Sequence, residues 1–268
     1  MKFNLANMKK LAFQILIFSA LTGWAQPNSK ELTDDQILEL YTPLRVADVS
    51  DGMDMAGLRD VGLMDQRIEP LWKDIENFTH RFCGIAVTAR YVPTNKKVSS
   101  EMSPEEFRKW EGNWYGQLST EPFTAHLKKG SVIVIDNQGD GDTGSTGSAN
   151  ILIWKQKGAV GLVAAGGVRD TDEIIKQRNP VYMDLSKRGR GIRPGRNEIE
   201  SVQKPVVVGG VLVNPGDVIV ADGDGVIVVP RSQAETVAKL AHEILVKDKA
   251  ARKNLFKQLG IESDFTVE

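Results

Sequence analysis

The stretch Gly158–Ile174 reads GAVGLVAAGGVRDTDEI. It holds an apolar strand, VGLVAA at Val160–Ala165, a glycine turn, the charged pair Arg169-Asp170, and then helical character over Thr171–Arg178 that stops before Asn179-Pro180. A second strand with the same outline lies upstream. SVIVI at Ser131–Ile135 ends at Asp136 and runs into the loop DNQGDGDTGSTGSAN, Asp136–Asn150. Behind that loop a helix is predicted from Ser148 to Lys157, closed by Gly158. Two strand-to-helix turns, each carrying polar residues at the strand end, set the frame for the rest of the chain.

The loop contains Gly139-x-Gly141-x-x-Gly144, the spacing of a dinucleotide fingerprint. Asp140 and Asp142 sit inside it and would repel a pyrophosphate, and no series of βαβ units is apparent before it. Nucleotide binding is therefore set aside. The start of the following helix offers free N–H groups that suit a carboxylate as well as a phosphate. Taken alone, Arg169 and Asp170 read as an ordinary strand-end pair capping the next helix. If the two strands are neighbours, both ends open onto one cleft. Arg169 then becomes a bidentate clamp for a carboxylate, and Asp170 a hard oxygen ligand for Mg²⁺ or Mn²⁺.

Outward from this centre the chain is mixed. Helices are predicted over Thr33–Arg45, Val46–Leu58, Ser103–Gln117 and Ser232–Gln258, the third announced by Ser103-Pro104 followed by two glutamates. Gly84–Val92 alternates as a strand. VQKPVVVGGVLVNPGDVIVADGDGVIVVP gives at least three more, turning at Gly209-Gly210, Asn214–Gly216 and Asp222–Gly225. The late cluster of short strands favours a one-domain α/β sandwich over a regular parallel array. Trp110 and Trp114, four apart, pack on the body or form a lid. The arginine-rich loop Lys187–Arg196 is a solvated connector or a substrate contact.

The 268 residues are 41% hydrophobic and 26% charged, enough for one sizeable core, and the net charge of −1 gives no footprint for nucleic acid. Met1–Lys10 is basic, Leu11–Ala25 is apolar, and small residues stand at Gly23 and Ala25. This is the pattern of a signal peptide over residues 1–25, shorter than the roughly 20-residue run a membrane span needs. The mature chain, 26–268, is expected in the periplasm or secreted, without stable membrane insertion. His80, His126 and His242 lack metal-ligand spacing, and the lone Cys83, in FCGIAV, is read as a buried inert thiol.

Gly158–Ile174 resembles the signature of the RraA-like family, and so do LYTPLRVADVSDGMDMAGL, VGLMDQRIEPLW, GIAVTARYVP and the C-terminal strand cluster from Lys204 to Pro230. The resemblance implies a swivelling β/β/α sandwich assembled as a homotrimer or homohexamer. It also implies metal-dependent aldolase chemistry on 4-hydroxy-2-oxo acids that releases pyruvate, with oxaloacetate decarboxylation as related chemistry. By the same resemblance Arg169 holds the pyruvate carboxylate, Asp170 is the metal ligand, and Gly147, Ser148, Ala149 and Asn150 present backbone amides to the substrate. Two departures stand out. Segment Lys96–Phe123 is longer than in typical members. Ser148 stands where the aldolases carry an aspartate that holds metal-bound water, and a serine cannot act as its base near neutral pH. Asp140, Asp142 or an acid from another subunit could take that part. Two other functions fit the same residues: an exported, non-catalytic binding protein, or an enzyme for a sugar-derived keto acid admitted by the longer segment.

Overall fold

The structure, a computed structural model, describes residues 32–98, 101–137, 139 and 142–268. The expected signal peptide, residues 1–25, and Asp140 lie outside the described residues. Leu32–Glu268 forms one compact unit. It begins with α1 (Asp34–Tyr41) and α2 (Val46–Met55). Thr33 starts α1 through a capping box with Gln36, its side chain accepting from the Gln36 amide at 3.3 Å. A short β1 (Ile68–Pro70) precedes β2 (Phe82–Pro93), α3 (Pro104–Gln117) and β3 (Ser131–Asp136). Next come α4 (Ser148–Gln156), β4 (Ala159–Ala164), α5 (Thr171–Lys176) and β5 (Val181–Asp184). The chain closes with β6 (Asn197–Val202), β7 (Val206–Val208), β8 (Val211–Val213), β9 (Val218–Asp222), β10 (Gly225–Val229) and the long α6 (Ala234–Leu259).

Eight strands form one sheet in the order β1-β5-β4-β3-β2-β9-β10, with β6 also paired to β2. β2, β3, β4 and β5 are parallel neighbours, whereas β1, β6, β9 and β10 join antiparallel. The β3 sequence shows why this sheet is buried on both faces. Val132 and Val134 pack against the β7–β8 hairpin through Val206, Val208 and Val213. Ile133 and Ile135 pack against Ile151 and Trp154 of α4 and Ile174 of α5. A continuous apolar run is what two covered faces require. Hairpin, sheet and helices thus make the three layers of the expected β/β/α sandwich.

The parallel centre is more regular than the sequence suggested. β2–α3–β3 is a parallel unit standing ahead of the glycine loop, and α4 and α5 supply two further crossovers. β5 and β6 were not apparent in the sequence because VYMD is short and NEIESV is largely polar. Leu245 of the C-terminal helix is buried in its own chain with α1 and α2. α2 and α6 approach so closely that a Cβ on Gly52 would lie 3.0 Å from the Ala241 backbone nitrogen.

Candidate active site at the parallel strand ends

β3 and β4 are adjacent, so their C-terminal ends open on the same side. The two loops then continue together. The Thr146 amide donates to the Gly167 carbonyl at 3.2 Å, and the Arg169 amide to the Thr146 carbonyl at 2.9 Å. This brings the start of α4 against Arg169 and Asp170. Asp170 holds left-handed backbone, φ 57°, at the N-cap of α5, yet its side chain does not cap that helix. It turns to α4 and accepts from the Ser148 amide at 3.2 Å. Charge at a helix start is favourable there. The Arg169 guanidinium lies 3.5 Å from the Asp170 carboxylate, and its Nε is buried with no hydrogen-bond partner among the described residues.

The glycines of the loop serve this contact. A Cβ on Gly147 would lie 2.6 Å from Asp170 Oδ2, and one on Gly144 would lie 2.7 Å from Arg169 Cδ. Both positions must be glycine for the two charged side chains to lie against the loop. Gly141 is outside the described residues. Of the four residues Gly147–Asn150, the Gly147 amide is held by Asn150 Oδ1 at 3.0 Å and the Ser148 amide by Asp170. The amides of Ala149 and Asn150, in the first turn of α4, lie beyond the reach of intrahelical bonding.

Arg169 and Asn150 line a cavity of about 280 Å³ together with Tyr91, Tyr115, Glu121 and Ile192. Tyr91, Tyr115, Glu121 and Ile192 were not singled out in the sequence. Glu121 follows α3 in the segment Lys96–Phe123. Its carboxylate accepts from Asn150 Nδ2 at 2.6 Å and from Trp154 Nε1 at 2.8 Å. The segment is anchored on β6, where Trp114 Nε1 donates to the Asn197 carbonyl at 3.0 Å. Trp114 is buried and Trp110 packs on it, so the pair rests on the body. Loop Lys187–Arg196 forms the outer wall. Arg190 and Arg193 both reach Asp142, at 3.1 and 2.9 Å, and the Tyr115 hydroxyl donates to the Ile192 carbonyl at 3.1 Å. Partial burial works against the Asp142 carboxylate, but the two arginines outweigh it and hold its pKa below the usual range. Asp142 is therefore a loop anchor.

A larger cavity, about 510 Å³, opens at the opposite end of the parallel strands around Phe82 and Cys83. Its cations are already engaged: Arg81 with Asp222 at 4.0 Å, Lys155 with Asn179 at 3.1 Å and Arg178 with Asp74 at 3.9 Å. Burial pushes the Cys83 thiol up, as expected of an inert one. His80 takes no part there: its Nδ1 accepts from the Asp74 amide at 3.1 Å. The smaller cavity is the one with chemistry.

Among the described residues no three His, Cys, Asp or Glu side chains gather to hold a metal. Asp170 lies beside the cleft next to Arg169, and its side chain is one-third exposed. A single carboxylate completed by water and substrate oxygens is a donor set that suits Mg²⁺ or Mn²⁺, so these residues fit such an ion.

A β/β/α sandwich with an arginine–aspartate pair at one parallel strand end defines a class of small α/β proteins. The RraA-like model, described as Aldolase/RraA, matches residues 46–228, and the chain belongs to that family. Protein DlpA of Legionella pneumophila is 29% identical over 207 residues, 76% of this chain and 29% of that protein. The 4-hydroxy-4-methyl-2-oxoglutarate aldolase of Thermus thermophilus is 30% identical over 101 residues, 38% of this chain. The matched region spans 29% and 60% of the lengths of these two relatives. In fold, the chain is similar to Streptomyces coelicolor RraAS2, a member of the RNase ES inhibitor RraA protein family: TM-score 0.64 at 22% identity, over 83% of this chain and 100% of that one.

Proposed function

We propose that this chain is a divalent-metal-dependent carbon–carbon lyase that cleaves 4-hydroxy-2-oxo acids to release pyruvate and decarboxylates oxaloacetate. The observation that carries this reading is the Arg169–Asp170 pair turned onto the start of α4, with Gly147 leaving room for it. The name of the Thermus relative supports the same chemistry. Arg169 binds the substrate carboxylate and orients it, and the free amides at the start of α4 complete that end of the cleft. Asp170 would hold the metal ion, which when bound would supply positive charge to offset the negative charge that cleavage places on the substrate's oxo group. The walls from α3 and loop Lys187–Arg196 limit water access.

A second reading, a binding protein without catalysis, draws on Ser148, whose hydroxyl cannot serve as a base. One assay separates the two: pyruvate release from a panel of 4-hydroxy-2-oxo acids and oxaloacetate, with Mg²⁺ or Mn²⁺. Release that is lost in Asp170→Asn and Arg169→Ala supports the lyase. Tight pyruvate and metal binding without release supports the binding protein.

We infer further that the mature chain is exported, from the basic and then apolar stretch in residues 1–25. We infer also that it assembles as a homotrimer or homohexamer. Leu152 and Ile153, 44% and 51% exposed on α4, are apolar surface suited to a subunit contact. A monomer mass by light scattering at micromolar concentration would refute the assembly.

A further inference from the structure

Resting on the lyase reading, we propose that Glu121 sets the substrate class: the tail beyond the 4-hydroxyl is neutral and hydroxylated, as in sugar-derived keto acids, and does not carry a second carboxylate. Glu121 shares a cavity of about 280 Å³ with Arg169. Its two oxygens accept from Asn150 Nδ2 at 2.6 Å and Trp154 Nε1 at 2.8 Å, both neutral donors. No ion pair neutralises it among the described residues, and Arg190 and Arg193 of the outer loop are held by Asp142. The cleft therefore has a cationic end at Arg169 and an uncompensated anionic wall at Glu121. A carboxylate on the substrate tail would face that wall and be repelled. A hydroxyl would donate to a remaining lone pair of the Glu121 oxygens. The rest of the wall suits such a tail. The Tyr91 hydroxyl donates to the Thr120 carbonyl at 2.8 Å and the Tyr115 hydroxyl to the Ile192 carbonyl at 3.1 Å. The two rings supply apolar sides. Tyr115 and Glu121 both come from segment Lys96–Phe123, so that segment carries the selectivity.

The test compares two ligands of equal length that lack the cleavable 4-hydroxyl: 5-hydroxy-2-oxopentanoate and 2-oxoglutarate. Calorimetry with Mg²⁺ present gives their affinities beside that of pyruvate. The hydroxylated ligand should bind wild type at least about tenfold more tightly than the dicarboxylate. In Glu121→Gln the ratio should fall toward unity while pyruvate binding is kept, which shows that the Arg169 end is intact. Equal or tighter binding of 2-oxoglutarate by wild type overturns the proposal without any variant. So does an unchanged ratio in Glu121→Gln. In both cases retained pyruvate binding leaves the lyase reading standing. Failure of wild type to bind pyruvate removes that reading and this one together.

Discussion

The sheet has two halves, both lined by buried residues, that differ at their ends. In the antiparallel half, the β9–β10 turn satisfies its own polar groups. Asp222 accepts from the Asp224 amide and from the Val46 amide, both at 2.9 Å. In the parallel half, three buried side-chain atoms lack partners among the described residues: Asn137 Oδ1, Thr143 Oγ1 and Arg169 Nε. All three lie in the two loops beyond β3 and β4. The difference follows from topology. Parallel strands end on the same side, and each crossover places a helix start beside the next strand end, so polar groups converge. Antiparallel strands send alternate ends to opposite sides and close on themselves. Unsatisfied polar groups gather where a ligand completes them.

The largest effects should be the same in both halves. Ile133→Ala in β3 and Ile219→Ala in β9 each remove a fully buried side chain. Each should cost about 2–5 kcal/mol of stability by chemical denaturation. A marked loss in one half alone would mean that the halves do not share one core.

Activity should separate them. Gly147→Ala places a Cβ 2.6 Å from Asp170 Oδ2, whereas at Gly223 in the β9–β10 turn the nearest atom is Lys73 Nζ at 3.8 Å. We expect Gly147→Ala to lower pyruvate release about 100-fold, equivalent to about 2.7 kcal/mol, and Gly223→Ala to change it less than about twofold. Matching values for kcat/KM in the two variants would break the contrast.

A smaller effect is expected at the position that departs from the family. Ser148→Asp introduces a base beside Asp170 and should raise pyruvate release about tenfold, at the low end of what general base catalysis supplies. Slower turnover than wild type, with Arg169→Ala as the site control, would show that the added charge crowds an acid already at work.

The smallest effect concerns the outer wall. The Asp142 carboxylate is depressed in the folded chain, so its link to Arg190 and Arg193 is complete above the ordinary aspartate value of about 4. That link is lost as pH falls through the depressed value. Amide exchange at Gly144 and Gly189, which bond across this loop to Gly191 and Val168, should accelerate beyond the intrinsic trend only in that acid window. Acceleration near neutral pH would assign the anchor to another group.

Most of the fold was legible because its signals are local. Ser103-Pro104 with Glu106 marks the start of α3 and forms a capping box, the Glu106 amide bonding Ser103 Oγ at 3.3 Å. The apolar runs gave β3 and β4, and the resemblance gave the layered architecture and the Arg169–Asp170 pair. What stayed hidden depends on distance in sequence. Glu121 precedes a short turn with no periodicity, and only the packing of α3 on β6 carries it to α4. Tyr91 ends a strand whose alternation marks it as core. Asp142 seemed free to act as a base until the loop at Arg190 and Arg193 closed over it.

Asp170 is constrained twice, by what its carboxylate does and by its backbone at φ 57°. Aspartate, asparagine and glycine tolerate that conformation best among the residues, and bulkier ones strain it. Chemistry can therefore be erased at this position by the very replacements the fold accepts most readily. A descendant carrying asparagine or glycine here would express and melt like its parent while having lost the carboxylate proposed as the metal ligand. Retention of foldedness is thus no guide to retention of activity among relatives. In a library selected only for thermal stability, silent inactive members should accumulate at residue 170 before they do at Gly147.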